Sequence, residues 1–251
     1  MASWILLRGL TRESGHWGAF VGQFQAALPG SEVLTLDLPG NGALFTQRSP
    51  TRVRDMMEHC RAQLVCRQLT APYHVLAMSL GAMVAVAWAD AYPRELAAQV
   101  LINTSMRPFS RFHERLLPAN YGTLIRLAVL GGTPEEWEGA VLRLTANDAH
   151  PDVTAHWLAL GQAHPVSRAN ALRQLLAASR FHAPARQPNV PTLVLASTKD
   201  RLVSVECSRA LARQWQCPLR LHPTAGHDLP LDDGPWVAAQ VCELLVPERC
   251  D

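Results

Sequence analysis

A chain of 251 residues can bury one sizeable apolar core, and 48% hydrophobic against 18% charged residues is the balance of a soluble globular protein, neither disordered nor membrane-spanning. A net charge of +2, with Lys199 the only lysine and the arginines scattered, leaves no nucleic-acid footprint. Neither nucleic acid nor a membrane is expected as a partner, and a monomer or weak dimer is expected.

The first apolar run, Trp4–Leu7, stops at Arg8, far short of a signal-peptide core or a membrane span, which predicts a cytoplasmic protein. It reads instead as a strand. Five more short apolar runs bounded by Gly, Pro, Asn or Ser follow in order: Val33–Leu38, His74–Met78, Gln99–Asn103, Thr192–Ser197 and Leu219–His222. Helix-period segments lie between them. Val53, Met56, Met57, Cys60 and Leu64 make the apolar stripe of a helix packed on a sheet, Gly81–Trp88 is apolar all round, and Trp236–Leu245 makes a terminal helix. Such alternation predicts an α/β fold, a mostly parallel open sheet of about six strands with helices on both faces.

The alternation fails from Ser105 to about Ala183, where helical patterns follow one another without a strand. This predicts an inserted helical cap (106–183) on a core of residues 1–105 and 184–251. Its expected helices are Phe112–Leu130, Pro134–Thr145, Asp152–Leu160 and Ser167–Phe181, the last with Leu172, Leu175 and Leu176 on one face. The six cysteines form no CxxC pair and read as reduced thiols. No metal or cofactor is expected: Asp148, His150 and Asp152, or His156 and His164, read as polar loop and helix surface.

Chemistry enters at Ala77-Met78-Ser79-Leu80-Gly81, between an apolar strand and an apolar helix. A sharp strand-to-helix turn crowds its flanks, so small residues must stand two before and two after a nucleophile there, and Ala77 and Gly81 meet that demand. A serine hydroxyl needs a base to take its proton, and that base needs a carboxylate to fix its tautomer. Asp200, in a polar loop past the strand Thr192–Ser197, and His227, in AGHDLPLDD after the last strand, supply both in the order Ser, Asp, His. Asp228, Asp232 and Asp233 are the alternative carboxylates. The oxyanion of a tetrahedral intermediate needs two donors, read here as the backbone N–H groups of Leu80 and of Leu10, with Gly9 letting the loop turn inward.

These motifs together resemble the α/β-hydrolase superfamily over nearly the whole chain: LLRGL at the oxyanion strand end, Asp37-Leu38-Pro39-Gly40-Asn41-Gly42 for its DLPGHG turn, AMSLG at the elbow, KDRLVS in the acid loop and AGHDLP in the histidine loop. Length and cap placement are similar to small capped members such as the pimeloyl-carrier-protein methyl ester esterases and the SHCHC synthases. Arg8 replaces the usual His before Gly, Ala77 the usual elbow Gly, and Asn41 the His of the turn. The leading antiparallel strands common in the superfamily have no counterpart, so that edge of the sheet should be smaller. Three functional readings follow. They are a serine esterase for small or medium acyl chains, free or carrier-linked; a triad-dependent lyase or carbon–carbon hydrolase; and a catalytically silent binding protein. Ser79 rules against haloalkane dehalogenase and epoxide hydrolase chemistry, which needs an acidic nucleophile. For the substrate pocket, Trp137, Trp157 and Phe181 are the candidate apolar wall. Arg111, with Arg107 and Arg115 at i, i+4, i+8 spacing, is the candidate anion contact.

Overall fold

The computed structural model describes residues 2–123, 126, 133–148 and 151–245. Six strands, β1 (Ala2–Leu7), β2 (Ser31–Leu36), β3 (Tyr73–Met78), β4 (Leu96–Ile102), β5 (Thr192–Ser197) and β6 (Leu219–His222), form one sheet in the order β2-β1-β3-β4-β5-β6. Every pairing is parallel. The chain leaves β1 toward β2 on one side and resumes with β3 on the other. The carboxyl ends of β1 and β3 therefore flank the switch point, where open α/β sheets leave a crevice.

Strand alternation sorts the core into two layers. Ile5, Leu7, Val75, Ala77, Leu101 and Val194 face the layer filled by Met56, Met57, Leu64 and the helix after β3. Their neighbours Trp4, Leu6, Leu76, Met78, Val100, Ile102, Leu193 and Leu195 face Phe20, Phe24, Val237 and Val241 on the opposite side. Helices α1 (Phe20–Ala27) and, at the far end of the chain, α10 (Gly234–Leu245) cover one face, and α2 (Val53–Cys66), α3 (Leu80–Ala91) and α8 (Val205–Trp215) the other; the remaining helices are α4 (Phe112–Arg115), α5 (Pro134–Thr145), α6 (Pro151–Ala163), α7 (Arg168–Arg180) and α9 (Leu229–Asp232). Among the described residues, no helix is long and apolar enough to cross a membrane.

Between β4 and β5 the helices depart from the sequence reading in two places. The expected helix Phe112–Leu130 is broken: α4 is followed by extended Leu116 and Leu117, because Pro118 pushes its predecessor out of the helical region. Residues 124–125 and 127–132 lie outside the described residues. Arg107 and Arg111 therefore precede α4 and share no helix face with Arg115. Helix α7 is turned the other way round. Leu172, Leu175 and Leu176 are 66%, 52% and 37% exposed, while Asn170 and Gln174 are buried. The polar face goes inward because it has partners there: Asn170 bonds the Ser49 N–H and the Gln47 carbonyl, and Gln174 bonds the Thr11 N–H and Asn41 Oδ1. These four bonds satisfy loop groups that would otherwise be left without partners, and they hold the polar face inward with the three leucines outside.

Candidate active site

Ser79 sits between β3 and α3 with φ 54° and ψ −115°, a left-handed conformation rare for a non-glycine residue. Its backbone is held on all sides: the N–H donates to the Ile102 carbonyl (3.0 Å), and its carbonyl accepts from the Ala82 N–H (3.1 Å) and Thr104 Oγ1 (3.1 Å). The strain is thus held by the end of β4, the segment after it and the first turn of α3, and Ser79 stays partly exposed. Gly81 explains how α3 comes so close to the sheet. A Cβ there would stand 2.5 Å from the Leu7 carbonyl oxygen and 2.6 Å from that of Arg8, both backbone atoms that cannot yield. Gly81→Ala is accordingly expected to destabilise the fold by about 3 kcal/mol, read as a lowered urea midpoint. An unchanged midpoint would mean that α3 shifts freely and does not define the elbow.

The loop after β1 lies directly over the serine. A Cβ on Gly9 would be 3.1 Å from Ser79 Cβ and 3.6 Å from Oγ, so Gly9 is there for close approach. The left-handed residue of this loop is Thr11, at φ 57°, rather than the glycine to which the sequence reading gave the turn. The Arg12 N–H closes the turn on the Gly9 carbonyl (3.3 Å), Gln174 Oε1 accepts the Thr11 N–H (2.8 Å), and Asn41 Nδ2 donates to the Arg12 carbonyl (2.9 Å). Asn41, in the position of the family's histidine, is fully buried and serves as this loop's support. Leu80, as the first residue of α3, has an N–H with no intrahelical acceptor, at the positive end of the helix dipole. Leu10 is half-buried and follows Gly9 along the same loop.

His227 and Asp200 meet in the interior. His227 Nδ1 lies 2.7 Å from Asp200 Oδ2, with side chains 4% and 2% exposed. A carboxylate only accepts, so Nδ1 carries a hydrogen, and in the neutral ring the lone pair is then on Nε2. The other oxygen, Asp200 Oδ1, accepts the N–H groups of Leu202 (2.8 Å) and Val203 (2.9 Å), which fixes the carboxylate in place. The alternative acids have other employment. Asp228 pairs with Arg8 (2.9 and 2.5 Å), Asp232 accepts the N–H groups of Gly226 (2.6 Å) and Asn147 (3.0 Å), and Asp233 contacts His222 (3.1 Å) and caps α10 through the Trp236 N–H (3.0 Å).

Asn103, at the carboxyl end of β4 with φ 43°, is a site residue that the sequence reading took only for a strand end. Its Oδ1 accepts the Ser197 N–H (2.8 Å), and its Nδ2 donates to the His227 carbonyl (2.8 Å), so it ties the histidine loop to the sheet. The signal the sequence offers is an Asn directly after an apolar run, a residue type that tolerates left-handed backbone.

The candidate pocket residues separate. Trp157, 2% exposed, stacks beneath the Arg12 guanidinium (4.5 Å) and beside His16 (5.4 Å), under the loop that carries Leu10. Arg12 also bonds Glu138 of α5 (2.7 Å), and burial pushes His16 well below the usual imidazole range and keeps it neutral. Trp137 is half-buried on α5, and half-buried Phe181 ends α7 against the core layer of α2 and α3. Arg111 is exposed, its backbone N–H bonded to the Glu114 carboxylate (2.8 Å) at the start of α4.

His156 contacts the Gly15 carbonyl (3.1 Å) and His164 pairs with Glu13 (2.8 Å). Among the described residues, no three His, Cys, Asp or Glu side chains converge on one point. His150 lies outside the described residues. Cys60, Cys66, Cys207, Cys217 and Cys242 are free, and burial pushes Cys60 up to about 12 and Cys207 and Cys217 up to about 11, so these three are poor nucleophiles.

The comparisons with known proteins agree with this architecture. No curated protein sequence matches the chain. Among solved structures, the chain is similar to a membrane phospholipase A described as a bacterial virulence factor, at 18% identity over 97% of this chain and 78% of that one, with a TM-score of 0.79. It is similar to a thermophilic esterase from Thermogutta terrifontis at 21% identity, 98% and 89% coverage and a TM-score of 0.76. A third, the enol-lactonase from Burkholderia xenovorans LB400, gives 17% identity, 97% and 91% coverage and a TM-score of 0.79. At these identities they share the fold. The sequence profile of the Alpha/beta hydrolase family matches residues 4–240, and the chain belongs to that family.

Proposed function

We propose that the protein is a serine hydrolase of carboxylic esters with small or medium acyl chains, acting through an acyl-enzyme on Ser79. The observation that carries this reading is the buried Asp200–His227 contact of 2.7 Å, past the carboxyl ends of β5 and β6, at the same end of the sheet as a serine in a left-handed elbow after β3. With Nδ1–H committed to Asp200, His227 Nε2 is the free lone pair, suited to take the proton of Ser79 Oγ as that oxygen attacks the ester carbonyl. The carbonyl oxygen gains charge and is met by the N–H groups of Leu80 and Leu10. His227 then returns the proton to the leaving alcohol, and water repeats the sequence to free the acid.

The helices between β4 and β5, within residues 106–183, are read as a cap that bounds the acyl slot. Apolar wall residues there would favour turnover by up to about 0.8 kcal/mol for each methylene buried, until the slot is full. Trp157 contributes through Arg12 and the Leu10 loop. Arg111, out in solvent, is a weak candidate for holding a substrate.

A fluorophosphonate probe followed by peptide mapping tests the class. Because only an activated hydroxyl reacts quickly, one site, Ser79, is expected to label, alongside hydrolysis of p-nitrophenyl esters that rises from acetate to a medium chain and then falls. Labelling elsewhere with Ser79 untouched would overturn the reading, and labelling of Ser79 without turnover of any ester would move the activity to another acyl class.

A further inference from the structure

Arg8 stands where this family usually carries histidine, and its surroundings give that departure a purpose. The side chain is 3% exposed and grips Asp228 with both ends of its fork, Nη1 to Oδ1 at 2.9 Å and Nη2 to Oδ2 at 2.5 Å. Nη1 also reaches Met78 Sδ (3.6 Å), and the guanidinium lies 4.8 Å over the Trp17 ring. Asp228 is itself fixed from the other side, its N–H donating to the Thr145 carbonyl at the end of α5 (2.6 Å). Each residue adjoins a group that the proposed reaction needs. Arg8 precedes Gly9 and Leu10, Met78 precedes Ser79, and Asp228 follows His227.

We infer that the Arg8–Asp228 pair is a positioning clamp that sets the imidazole of His227 against Ser79 and the Leu10 donor, while keeping two opposite charges paired one residue along the chain from the base so that their fields cancel. The inference rests on the triad reading above. The clamp follows from chemistry that histidine cannot supply: a planar fork matches a carboxylate at two points and fixes orientation as well as distance. A neutral imidazole in place of Arg8 would leave the buried Asp228 charge uncompensated one residue from the base. Among the described residues, charged groups bonded to His227 or carried or held by its loop include Asp200 from the acid loop, Asp228 and Asp232 from its own loop, and Arg8 from the loop after β1. Arg12 and Glu138, paired with one another, lie next to the Arg8–Asp228 pair. Arg8 and Asp228 are the members of this set that pair with one another next to Gly9 and His227, so one substitution at a time unbalances the pair without touching the triad.

The test uses the full chain, a p-nitrophenyl ester and four variants: Arg8→Lys, Arg8→Met, Asp228→Asn and the double Arg8→Met/Asp228→Leu. Arg8→Lys keeps the charge but loses the fork, so kcat should fall about 100-fold with KM and the acid limb of the pH profile unmoved. Arg8→Met leaves an unpaired carboxylate that favours the imidazolium and should move that limb up by about one pH unit; Asp228→Asn leaves an unpaired cation and should move it down by a similar amount. The double variant leaves no buried charge and is expected to fold even where a single variant does not. In it the limb should return to the wild-type position, with kcat still about 100-fold low. Wild-type kcat in a folded double or Arg8→Lys variant would overturn the clamp, as would singles whose limbs do not part in opposite directions. Ser79→Ala assayed in parallel separates the two ideas. Turnover lost in Ser79→Ala but intact in the Arg8 variants sinks the clamp alone, whereas turnover intact in Ser79→Ala sinks the triad beneath it.

Discussion

Ser79→Ala and His227→Ala are each expected to lower kcat for ester hydrolysis by on the order of 10⁶, with circular dichroism unchanged. The size follows from how the two residues depend on one another. Without the imidazole lone pair the hydroxyl stays a poor nucleophile, and without the hydroxyl the imidazole has nothing to deprotonate but water. Each deletion therefore removes nearly the whole of the shared contribution, and the double variant should lose little more than either single. What survives is the binding and the two backbone donors, which act on any acyl group brought to the site. Ser79 is partly exposed and packs no core, so Ala costs little stability there. His227 is buried and bonds Asp200, so its removal strands a buried carboxylate, and the urea midpoint must be measured alongside. Rates near wild type in a folded Ser79→Ala would remove the nucleophile from the mechanism. Additive losses would mean that the two residues work apart.

The parts of this site that were legible in the sequence are those whose demands are local. The elbow needs small flanks around Ser79, the strands are short apolar runs, and the order Ser, Asp, His is a property of the chain itself. Helix α8 was also legible and went unread: Ser204 caps it through the Glu206 N–H (3.3 Å), and Cys207, Ser208, Leu211, Ala212 and Trp215 fall on one buried face. Other features depend on partners far along the chain, and no local pattern carries them. Arg8 finds its carboxylate 220 residues away, and Thr11 finds Gln174 across 163. The inward polar face of α7 is of this kind. Three leucines at helical spacing look like a core stripe until the loops holding Asn41 and Ser49 supply hydrogen-bond partners for the other side. Local chemistry thus marks the candidate serine, aspartate and histidine, and long-range polar contacts decide how the loops around them are held.

Asp200→Asn should lower kcat by about 10⁴, and the hydrogen bonds around the carboxylate say why the amide is so damaging. Oδ1 accepts two backbone N–H groups, from Leu202 and Val203. An asparagine there must put its carbonyl oxygen in that position, since an amide NH₂ facing two donors would leave all of them unpaired. Its NH₂ is then turned to His227 Nδ1, where the carboxylate oxygen stood at 2.7 Å. Nδ1 becomes the acceptor, the ring hydrogen moves to Nε2, and the base presents a proton to Ser79 where it needs a lone pair. The variant keeps shape and burial, so stability should change far less than rate, and KM should hold while kcat collapses. Asp232→Asn is the comparison: its carboxylate serves the Gly226 and Asn147 N–H groups, and its loss should act on stability and on the histidine loop more than on the chemical step. A folded Asp200→Asn with kcat within tenfold of wild type would pass the orienting role to another acid, and a far larger fall in Asp232→Asn would say which.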